Sequence, residues 1–369
     1  MSTIAIDATY TIDPQPSGVA TYSRRLIEAL ATLPVAHRYL LCYRLSRFPQ
    51  RQEFLRPVAA GGETGPRFST RLYQDMVTFW LPWQADLFHS LAQRPPAFRF
   101  KKEVVTVHDV FPITSRDYST LEFQRKFSTL LREAVGRAAR VITPSHYTAD
   151  QLVEHVGVER EKIRVTPEGV DPPEPRMSED ELASVREALV GPGKVMVLSV
   201  GLLQTRKNLI SAIRAVASLS ERYRLVLVGG TGYGSEAVHE FIRKDPAGAR
   251  VVTLGHVTAK RLAELYQAAN VLLFPSLEEG FGLPVLEAMT RGLPVVAANT
   301  SALPEVGGDA ALYAEPHDPQ GMAENVQRIV EDEALRRSLI ERGLARACEF
   351  TWRRTAELTC AVYDEALAL

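Results

Sequence analysis

Two acidic residues, Glu279 and Glu287, lie eight positions apart in the segment FPSLEEGFGLPVLEAMTRGLPVVA, residues 274–297. A strand-like run, VLLFPS, leads into this segment, and a second one, PVVAAN, ends it. Carboxylates at the point where a strand gives way to a helix are costly to bury unless hydrogen-bond donors satisfy them. The paired hydroxyl groups of a sugar are such donors, so the two acids indicate a site for a hydroxyl-rich ligand.

The loop between the two acids contains Gly280 and Gly282, which let backbone N–H groups face a ligand beside a helix start. Pro284 suits the first turn of that helix, and Gly292 suits its end. Such a helix start attracts phosphate and other polar oxygens. Two other interpretations stay open: Glu287 as a solvated helix residue, and the two acids as the acid/base pair of a glycoside hydrolase.

A basic pair, Arg206 and Lys207, follows the strand-like run KVMVLSVG and precedes a helical pattern that Asn208 is expected to cap. Two cations and free N–H groups at the carboxyl end of a strand are suited to holding a diphosphate. The alternative is a pair of solvated basic side chains.

Other candidate residues follow strands elsewhere in the chain. The run VVTVHD ends in His108 and Asp109, where the histidine is either ligand-facing or structural. Gly18 begins the helical pattern GVATYSRRLIEALATL and offers N–H groups to an anion. Gly229 and Gly230 follow RLVLV without strict G-x-G-x-x-G spacing, so they predict a tight turn near a ligand or a neighbouring strand.

Short apolar runs alternate with helical patterns along the whole chain, which predicts an α/β fold with parallel sheets and helices on both faces. The predicted strands are 3–8, 38–44, 86–90, 104–109 and 140–145 in the first half, and 194–201, 224–230, 250–255, 271–276 and 294–299 in the second.

At 369 residues the chain is long enough for two domains. The segment VDPPEPRMSEDE, residues 170–181, is rich in proline and acids and is the best candidate for a linker. We therefore predict domains over residues 1–170 and 194–348, a linker region over 171–193, and a terminal helix over 349–369. Ligands in two such doubly wound domains are expected at the carboxyl ends of the strands, in a cleft between the domains.

The net charge of −1 is unevenly distributed. Residues 1–170 contain 22 basic and 17 acidic residues, for a charge of +5, and the remainder contains 21 and 27, for −6. A basic first half indicates an anionic partner such as a phosphate or a membrane surface, and a chance distribution is the alternative.

Cysteine content and hydropathy exclude several classes of protein. The three cysteines, Cys42, Cys348 and Cys360, have neither zinc-binding spacing nor the even number of a disulfide framework. The N-terminal MSTIAIDATY lacks the pattern of a signal peptide, and no uninterrupted apolar run approaches about 18 residues. We expect a cytoplasmic protein, with contact at the inner face of the membrane as an open question.

Taken together, the motifs resemble those of the retaining glycosyltransferases of family 4 (glycosyl transferases group 1), which have the GT-B fold of two facing Rossmann-like domains. The resemblance covers nearly the whole chain, and its most specific part is the E-x(7)-E element, EGFGLPVLE. It rests on the segments 279–287, 199–208, 167–171, 105–109 and 17–22. The patterns around 104–112 and 140–152 are most similar to O-antigen mannosyltransferases.

The resemblance implies roles for matching residues. Arg206 and Lys207 would hold the donor diphosphate and stabilise the leaving group, Glu287 would bind the ribose, and Glu279 would bind hydroxyls of the transferred sugar. His108 would approach the sugar near the reacting centre. The remaining donor-binding residues implied in this way are Gly18, Gly201, Gly229, Gly255, His256, Val257, Gly280, Phe281, Gly282 and Leu283.

Two positions depart from the family pattern. Ser17-Gly18 stands where the family often has two glycines, and Glu168 stands where it often has asparagine.

Fixed cations and helix N–H groups can stabilise the departing diphosphate, one such contact being worth about 3 kcal/mol. Because no D-x-D pair follows a strand, we predict that catalysis needs no metal and no cofactor. A front-face displacement is the course expected of a retaining family.

Two further segments are assigned by pattern. Residues 67–83, RFSTRLYQDMVTFWLPW, are predicted to be a helix, either at a membrane interface or in the core beside an acceptor groove. The C-terminal FTWRRTAELTCAVYDEAL is predicted to be helical. The resemblance suggests that it packs back on the first domain, and a terminal helix of the second domain is the alternative.

The leading hypothesis is a hexosyltransferase that moves a sugar from a nucleotide donor to a glycan or lipid-linked acceptor during synthesis of a surface polysaccharide such as the lipopolysaccharide O-antigen. GDP-mannose is the donor that the resemblance favours, and no nucleic acid is expected as a partner. The alternatives are a sugar-nucleotide epimerase of similar fold and a nucleotide-sugar-binding protein without turnover.

Overall fold

The structure, a computed structural model, describes residues 2–12, 17–34, 37–51, 53–54, 67–74 and 78–369. The chain forms two compact units. The N-terminal unit comprises Met1–Thr114, Leu121–Gly169 and Phe350–Leu369, and the C-terminal unit comprises Ser115–Thr120 and Val170–Glu349.

The N-terminal unit is built on a parallel sheet of seven strands among its described residues, in the order β3-β2-β1-β4-β5-β6-β7. Strands that pair on both sides lie in the interior, and accordingly β1 and β4 consist almost entirely of buried residues. The strands are β1 (Thr3–Asp7), β2 (Arg38–Tyr43), β3 (Arg67–Leu72), β4 (Leu87–Ser90), β5 (Glu103–Thr106), β6 (Arg140–Thr143) and β7 (Ile163–Val165).

Helices connect these strands and cover the sheet. The first one begins where Ser17 Oγ accepts a hydrogen bond from the Ala20 N–H, at 3.2 Å, which satisfies one exposed donor of the first turn. Its apolar face, including Leu26 and Leu30, packs in the core with Ile4 and Leu41 of the sheet. The helices are α1 (Gly18–Thr32), α2 (Phe111–Thr114), α3 (Leu121–Arg137) and α4 (His146–Val156).

The C-terminal unit repeats this logic with a six-stranded parallel sheet in the order β10-β9-β8-β11-β12-β13. The strands are β8 (Val195–Val200), β9 (Tyr223–Val228), β10 (Val251–Gly255), β11 (Val271–Phe274), β12 (Val295–Ala298) and β13 (Ala311–Ala314). The helices are α5 (Glu179–Val190), α6 (Leu209–Ser218), α7 (Ser235–Lys244), α8 (Ala259–Ala268), α9 (Leu283–Thr290), α10 (Leu303–Gly307), α11 (Pro319–Glu331) and α12 (Glu333–Ala347).

The last helix, α13 (Trp352–Ala368), belongs to the N-terminal unit. Its buried residues Ala356, Val362 and Tyr363 share a core with residues of α1 and β1. Thr355 Oγ1 also donates to the carbonyl of Pro167, at 2.8 Å. The terminal helix therefore packs on the first unit although it follows the second in sequence.

Three local predictions differ from the structure. Residues 67–72 form an edge strand and not a helix; Thr78–Gln84 is irregular with a short 3-10 turn, and residues 75–77 lie outside the described residues. The region predicted as a linker, 171–193, contains helix α5, which Ser178 and Glu181 start with a reciprocal capping box. Residues 115–120 group with the C-terminal unit, inside the predicted first domain.

Among the described residues, no helix combines the length and apolar character needed to cross a membrane. The same part of the chain contains no cluster of three or more His, Cys, Asp or Glu side chains arranged to hold a metal ion. The cysteines Cys42, Cys348 and Cys360 are unbridged.

Candidate active site

Three glycines meet at the carboxyl edge of the second sheet. The N–H of Gly229 donates to the carbonyl of Gly255, at 2.9 Å. A Cβ at Gly229 would lie 2.0 Å from the carbonyl oxygen of Gly201, and all three residues have positive φ angles of 146°, 64° and 139°. The backbone angle favours glycine at all three positions, and Gly229 also needs the close approach to Gly201, so these residues shape the ends of β8, β9 and β10.

The basic pair lies just beyond this edge, in a short 3-10 turn after β8, and it is buried. Both side chains contact one carboxylate: Arg206 Nη1 lies 2.9 Å from Glu279 Oε2, and Lys207 Nζ lies 2.5 Å from Glu279 Oε1. Arg206 Nη1 also donates to the carbonyl of Glu278. Residues that are 72 positions apart in sequence thus form one buried ionic triad with a net charge of +1.

Glu279 remains ionised in this setting. Burial opposes the charge, but attraction to Arg206, then to Lys207, together with their hydrogen bonds, lowers the pKa of its carboxyl to about 2. A carboxylate that is 8% exposed is tolerated because two cations surround it.

Packing fixes the lysine in place. Lys207 Nζ lies 4.8 Å from the centroid of the Phe274 ring, over the last residue of β11. A Cβ at Gly201 would lie 3.0 Å from Lys207 Cε, so the glycine leaves room for the lysine stem. The ammonium group is therefore held by a ring face and a carboxylate together.

Asn208 occupies the expected position at the start of α6, but its side chain does not cap the helix. It donates to the carbonyls of Pro275 and Pro316, at 3.1 and 2.5 Å, and its backbone is left-handed with a φ of 53°. The asparagine therefore ties the loop after β8 to the loops after β11 and β13.

The loop that carries Glu279 is buried and held from the opposite side. The Glu279 N–H donates to Ser301 Oγ, at 3.1 Å, and Ser301 itself has a φ of 58°. Gly282 has a φ of 119° and precedes α9, whose first residue is the half-buried Leu283. The intervening Gly280 and Phe281 are buried.

Glu287 lies on α9 in a different set of contacts. Its Oε2 accepts a hydrogen bond from the Tyr266 hydroxyl, at 2.7 Å, and its backbone carbonyl accepts one from Arg291. Burial raises the pKa of the Glu287 carboxyl, against the opposing effects of Tyr266 and Arg291. Arg291 in turn forms two hydrogen bonds with Glu174, at 2.8 and 3.0 Å, which fixes the outer side of this group.

The remaining predicted residues are distributed as follows. His256 is exposed and Val257 half-buried just after β10. Gly18 is the exposed first residue of α1, and His108 lies after β5; both belong to the N-terminal unit. His108 is buried, and its ring nitrogens lie 3.0 Å from Glu168 Oε1 and 2.9 Å from the carbonyl oxygen of Leu91.

Several residues of the second unit were not singled out from the sequence. Tyr266 and Ser301 carry no local motif, and the pairing of Glu174 with Arg291 spans 117 positions. Tyr118 is close enough to Glu278 and Arg206 for their charges to affect it: burial and then Glu278 raise the pKa of its phenol, while Arg206 lowers it. A cavity of about 510 Å³ adjoins the basic turn, lined by Arg116, Asp117, Thr205, Gly232, Tyr233, Gly234 and Glu236.

Two family models match the chain and together cover most of it. The model "Glycosyltransferase Family 4" matches residues 16–174, and "Glycosyl transferases group 1" matches residues 183–346. The second match contains the ionic triad and Glu287, and the first contains Gly18 and His108.

Similar curated proteins carry transferase names. The chain is 29% identical to O-antigen chain mannosyltransferase B of Escherichia coli over 72% of its own length and 71% of that protein. It is 35% identical to D-inositol 3-phosphate glycosyltransferase of Acidothermus cellulolyticus over 64% of its own length, but the match spans only 55% of that relative.

The chain is similar in structure to Anabaena Alr3699/HepE in complex with UDP-glucose. The similarity covers 100% of both chains, with a TM-score of 0.76 and 18% sequence identity. At that identity the likeness shows the fold, which is the predicted GT-B fold. The chain belongs to the glycosyl transferases group 1 and Glycosyltransferase Family 4, with mannosyltransferases of the O-antigen among its relatives.

Proposed function

We propose that the protein is a retaining, metal-independent glycosyltransferase that transfers mannose from GDP-mannose to a glycan or lipid-linked acceptor in surface polysaccharide synthesis. The observation that carries the proposal is the buried triad of Arg206, Lys207 and Glu279 at the carboxyl edge of the second sheet. Membership in the family supports the transferase class.

The triad is suited to a nucleoside diphosphate sugar because its two cations outnumber its one carboxylate. A diphosphate bound there meets a net positive charge in a buried setting, where charge-assisted hydrogen bonds are strong. Glu279 keeps both cations in place before the donor arrives and offers its carboxylate to sugar hydroxyls. Glu287, held by Tyr266, is placed to accept hydrogen bonds from the ribose hydroxyls.

The chemistry follows from where charge develops. The bond between the anomeric carbon and the diphosphate oxygen breaks, and its electron pair stays on the diphosphate. Arg206 and Lys207 stabilise that charge. Removal of one such contact raises the activation barrier by about 3 kcal/mol. The acceptor hydroxyl forms the new bond on the same face of the sugar and passes its proton to the departing phosphate, which gives a glycoside and a nucleoside diphosphate.

The name of the Escherichia coli relative favours mannose as the transferred sugar. A thermal-shift screen against GDP-mannose and matched UDP-, ADP- and dTDP-sugars tests the donor. A donor at about 100 times its dissociation constant adds about 2.7 kcal/mol of stability. We expect GDP-mannose to give the largest shift.

The outcomes of this screen separate the parts of the proposal. A larger shift with a sugar nucleotide of another base would replace the proposed donor while retaining the diphosphate site. No shift with any of the four would contradict the proposed function. If NMR instead detects epimerised donor and no transfer to an acceptor, the protein is an epimerase.

A further inference from the structure

The ring of His108 lies between two acceptor groups in the N-terminal unit. Nε2 is 2.9 Å from the backbone carbonyl oxygen of Leu91, and Nδ1 is 3.0 Å from Glu168 Oε1. A carbonyl oxygen can only accept a hydrogen bond, so Nε2 carries a proton. An ionised carboxylate also only accepts, so Nδ1 carries a second proton when Glu168 is charged.

We propose that Glu168 is a positioning residue that holds His108 as a doubly protonated imidazolium, so that His108 supplies a fixed positive charge and no proton-accepting nitrogen. Glu168 stands directly before Gly169, the last residue of this stretch of the N-terminal unit. Glutamine, its neutral isostere, could accept or donate at the same place and would leave the charge of His108 undetermined. The carboxylate removes that choice.

The groups around the ring agree with a cation at this point. Asp109, the next residue, and Glu168 are acids whose charges act on His108. Burial lowers the pKa of the imidazole, but the hydrogen bond and charge of Glu168, the carbonyl of Leu91 and the charge of Asp109 together raise it above its ordinary value. Tyr22 of α1 meets the ring edge-on at 4.7 Å between centroids.

The neighbouring histidine provides the contrast. His89 on β4 bonds to the hydroxyls of Tyr363 and Thr106, at 2.7 and 2.8 Å, which can each adjust as donor or acceptor. Burial and then the charge of His108 lower its pKa to about 3, so His89 is neutral. Two buried histidines of one unit thus differ in charge because one faces a carboxylate and the other faces hydroxyls.

The charge of His108 follows from its contacts, whereas its consequence for catalysis rests on the proposed function. With both nitrogens engaged, His108 has no free nitrogen that could accept a proton, which agrees with the proposed passage of the acceptor proton to the departing phosphate.

The charge state is tested directly by ¹⁵N NMR of histidine-labelled protein, with the His108 signals assigned by their loss in His108→Asn. In the wild-type protein we expect both nitrogens to show the imidazolium signature up to about pH 8, well above the ordinary histidine pKa of about 6.5. A neutral His108 at that pH in the wild-type protein overturns the proposal, and this measurement does not depend on activity.

Activity provides the second arm, with Glu168→Gln as the test and Glu168→Asp as the charge-retaining control. We expect Glu168→Gln to lower kcat/KM by at least about tenfold at about pH 8. The kcat/KM of this variant should recover toward the wild-type value as the pH falls toward 6, because acid restores the imidazolium. Glu168→Asp should keep the wild-type pH profile. An equal loss at every pH would contradict the positioning role. Absence of transfer by the wild-type protein would instead contradict the proposed function, and the NMR result would still decide the charge of His108.

Discussion

At the scale of single residues, Glu279 supplies the negative charge of the buried ionic triad. It is the carboxylate shared by Arg206 and Lys207, and all three side chains are about one-tenth exposed. Because its pKa of about 2 lies below the ordinary value of 4.5, its stabilising contribution is fully present above pH 4.5 and is lost as the pH falls through 2. The triad therefore stays intact across the neutral range in which a transferase acts.

We predict that Glu279→Gln lowers the free energy of unfolding by about 3–5 kcal/mol, because it removes the carboxylate that both buried cations contact. Glu365→Gln is the matched control: Glu365 also joins two arginines, Arg140 and Arg164, but its side chain is 34% exposed. Solvent screening should keep the cost of that change below about 1 kcal/mol. Urea denaturation of both variants measures the difference, and equal costs would show that burial of the triad is not what matters.

The residue types of the sequence predicted which side chains belong to the candidate site, but not which of them contact one another. The sequence placed Arg206 and Lys207 after one strand and Glu279 after another, and parallel strands bring their carboxyl ends to one edge. The sequence did not predict that the glutamate binds both cations, nor that Glu168 binds His108 from 60 positions away. Such pairings depend on loop conformation, which no local periodicity encodes.

At the scale of elements, the loops after the strands carry the candidate site, and glycines set their paths. Gly229 is the clearest case, since its missing Cβ lets the chain pass the carbonyl of Gly201. The neighbouring Gly230 has no such demand: a Cβ there would meet Leu202 Cδ2 at an ordinary 3.7 Å. Adjacent glycines of one turn therefore play different roles.

We predict that Gly229→Ala destabilises the C-terminal unit by at least about 2 kcal/mol, because the new methyl group meets backbone and the φ of 146° disfavours alanine. Gly230→Ala should change stability by less than about 1 kcal/mol. Thermal unfolding of both variants checks this contrast. A tolerated Gly229→Ala would mean that the ends of β8 and β9 can separate without cost.

Apolar runs predicted the interior strands and the edge strand β10, but not the edge strands β3, β7 and β13. Strands β1, β8 and β9 were predicted within a residue or two, because continuous apolar runs are typical of buried parallel strands. Strand β3, RFSTRL, is mostly polar, lies at an edge and was wrongly predicted as part of a helix. The edge strands β7 and β13, of three and four residues, were not predicted.

At the scale of the whole molecule, the chain crosses between its units four times, at residues 114–115, 120–121, 169–170 and 349–350. In the N-terminal unit a Cβ at Gly169 would lie 2.3 Å from the backbone nitrogen of Trp352, so the segments beside the last two crossings pack directly on each other. The proline-rich segment that composition marked as a linker begins at the crossing at 169–170. The return of α13 was implied by the family resemblance and not by its amphipathic pattern.

Contact with a membrane stays a prediction. The described part of the segment that suggested it forms strand β3 and a short 3-10 turn, and it exposes Phe79, Trp80 and Trp83, with 57%, 43% and 74% of each accessible. Aromatic side chains of this kind favour the boundary between water and lipid.

The central claim is that the buried cations of the C-terminal unit bind the diphosphate of a sugar nucleotide and stabilise it as it departs. Transfer by Lys207→Ala tests this most directly, because the substitution removes one cation while Arg206 still neutralises Glu279. Lys194→Ala, which removes a half-buried lysine hydrogen-bonded to the backbone carbonyl of Glu221, is the control. We predict that Lys207→Ala lowers kcat by at least about 100-fold with an unchanged circular dichroism spectrum, while Lys194→Ala is unaffected. Turnover by Lys207→Ala within about twofold of the wild-type rate, less than about 0.5 kcal/mol of the activation barrier, would contradict the claim.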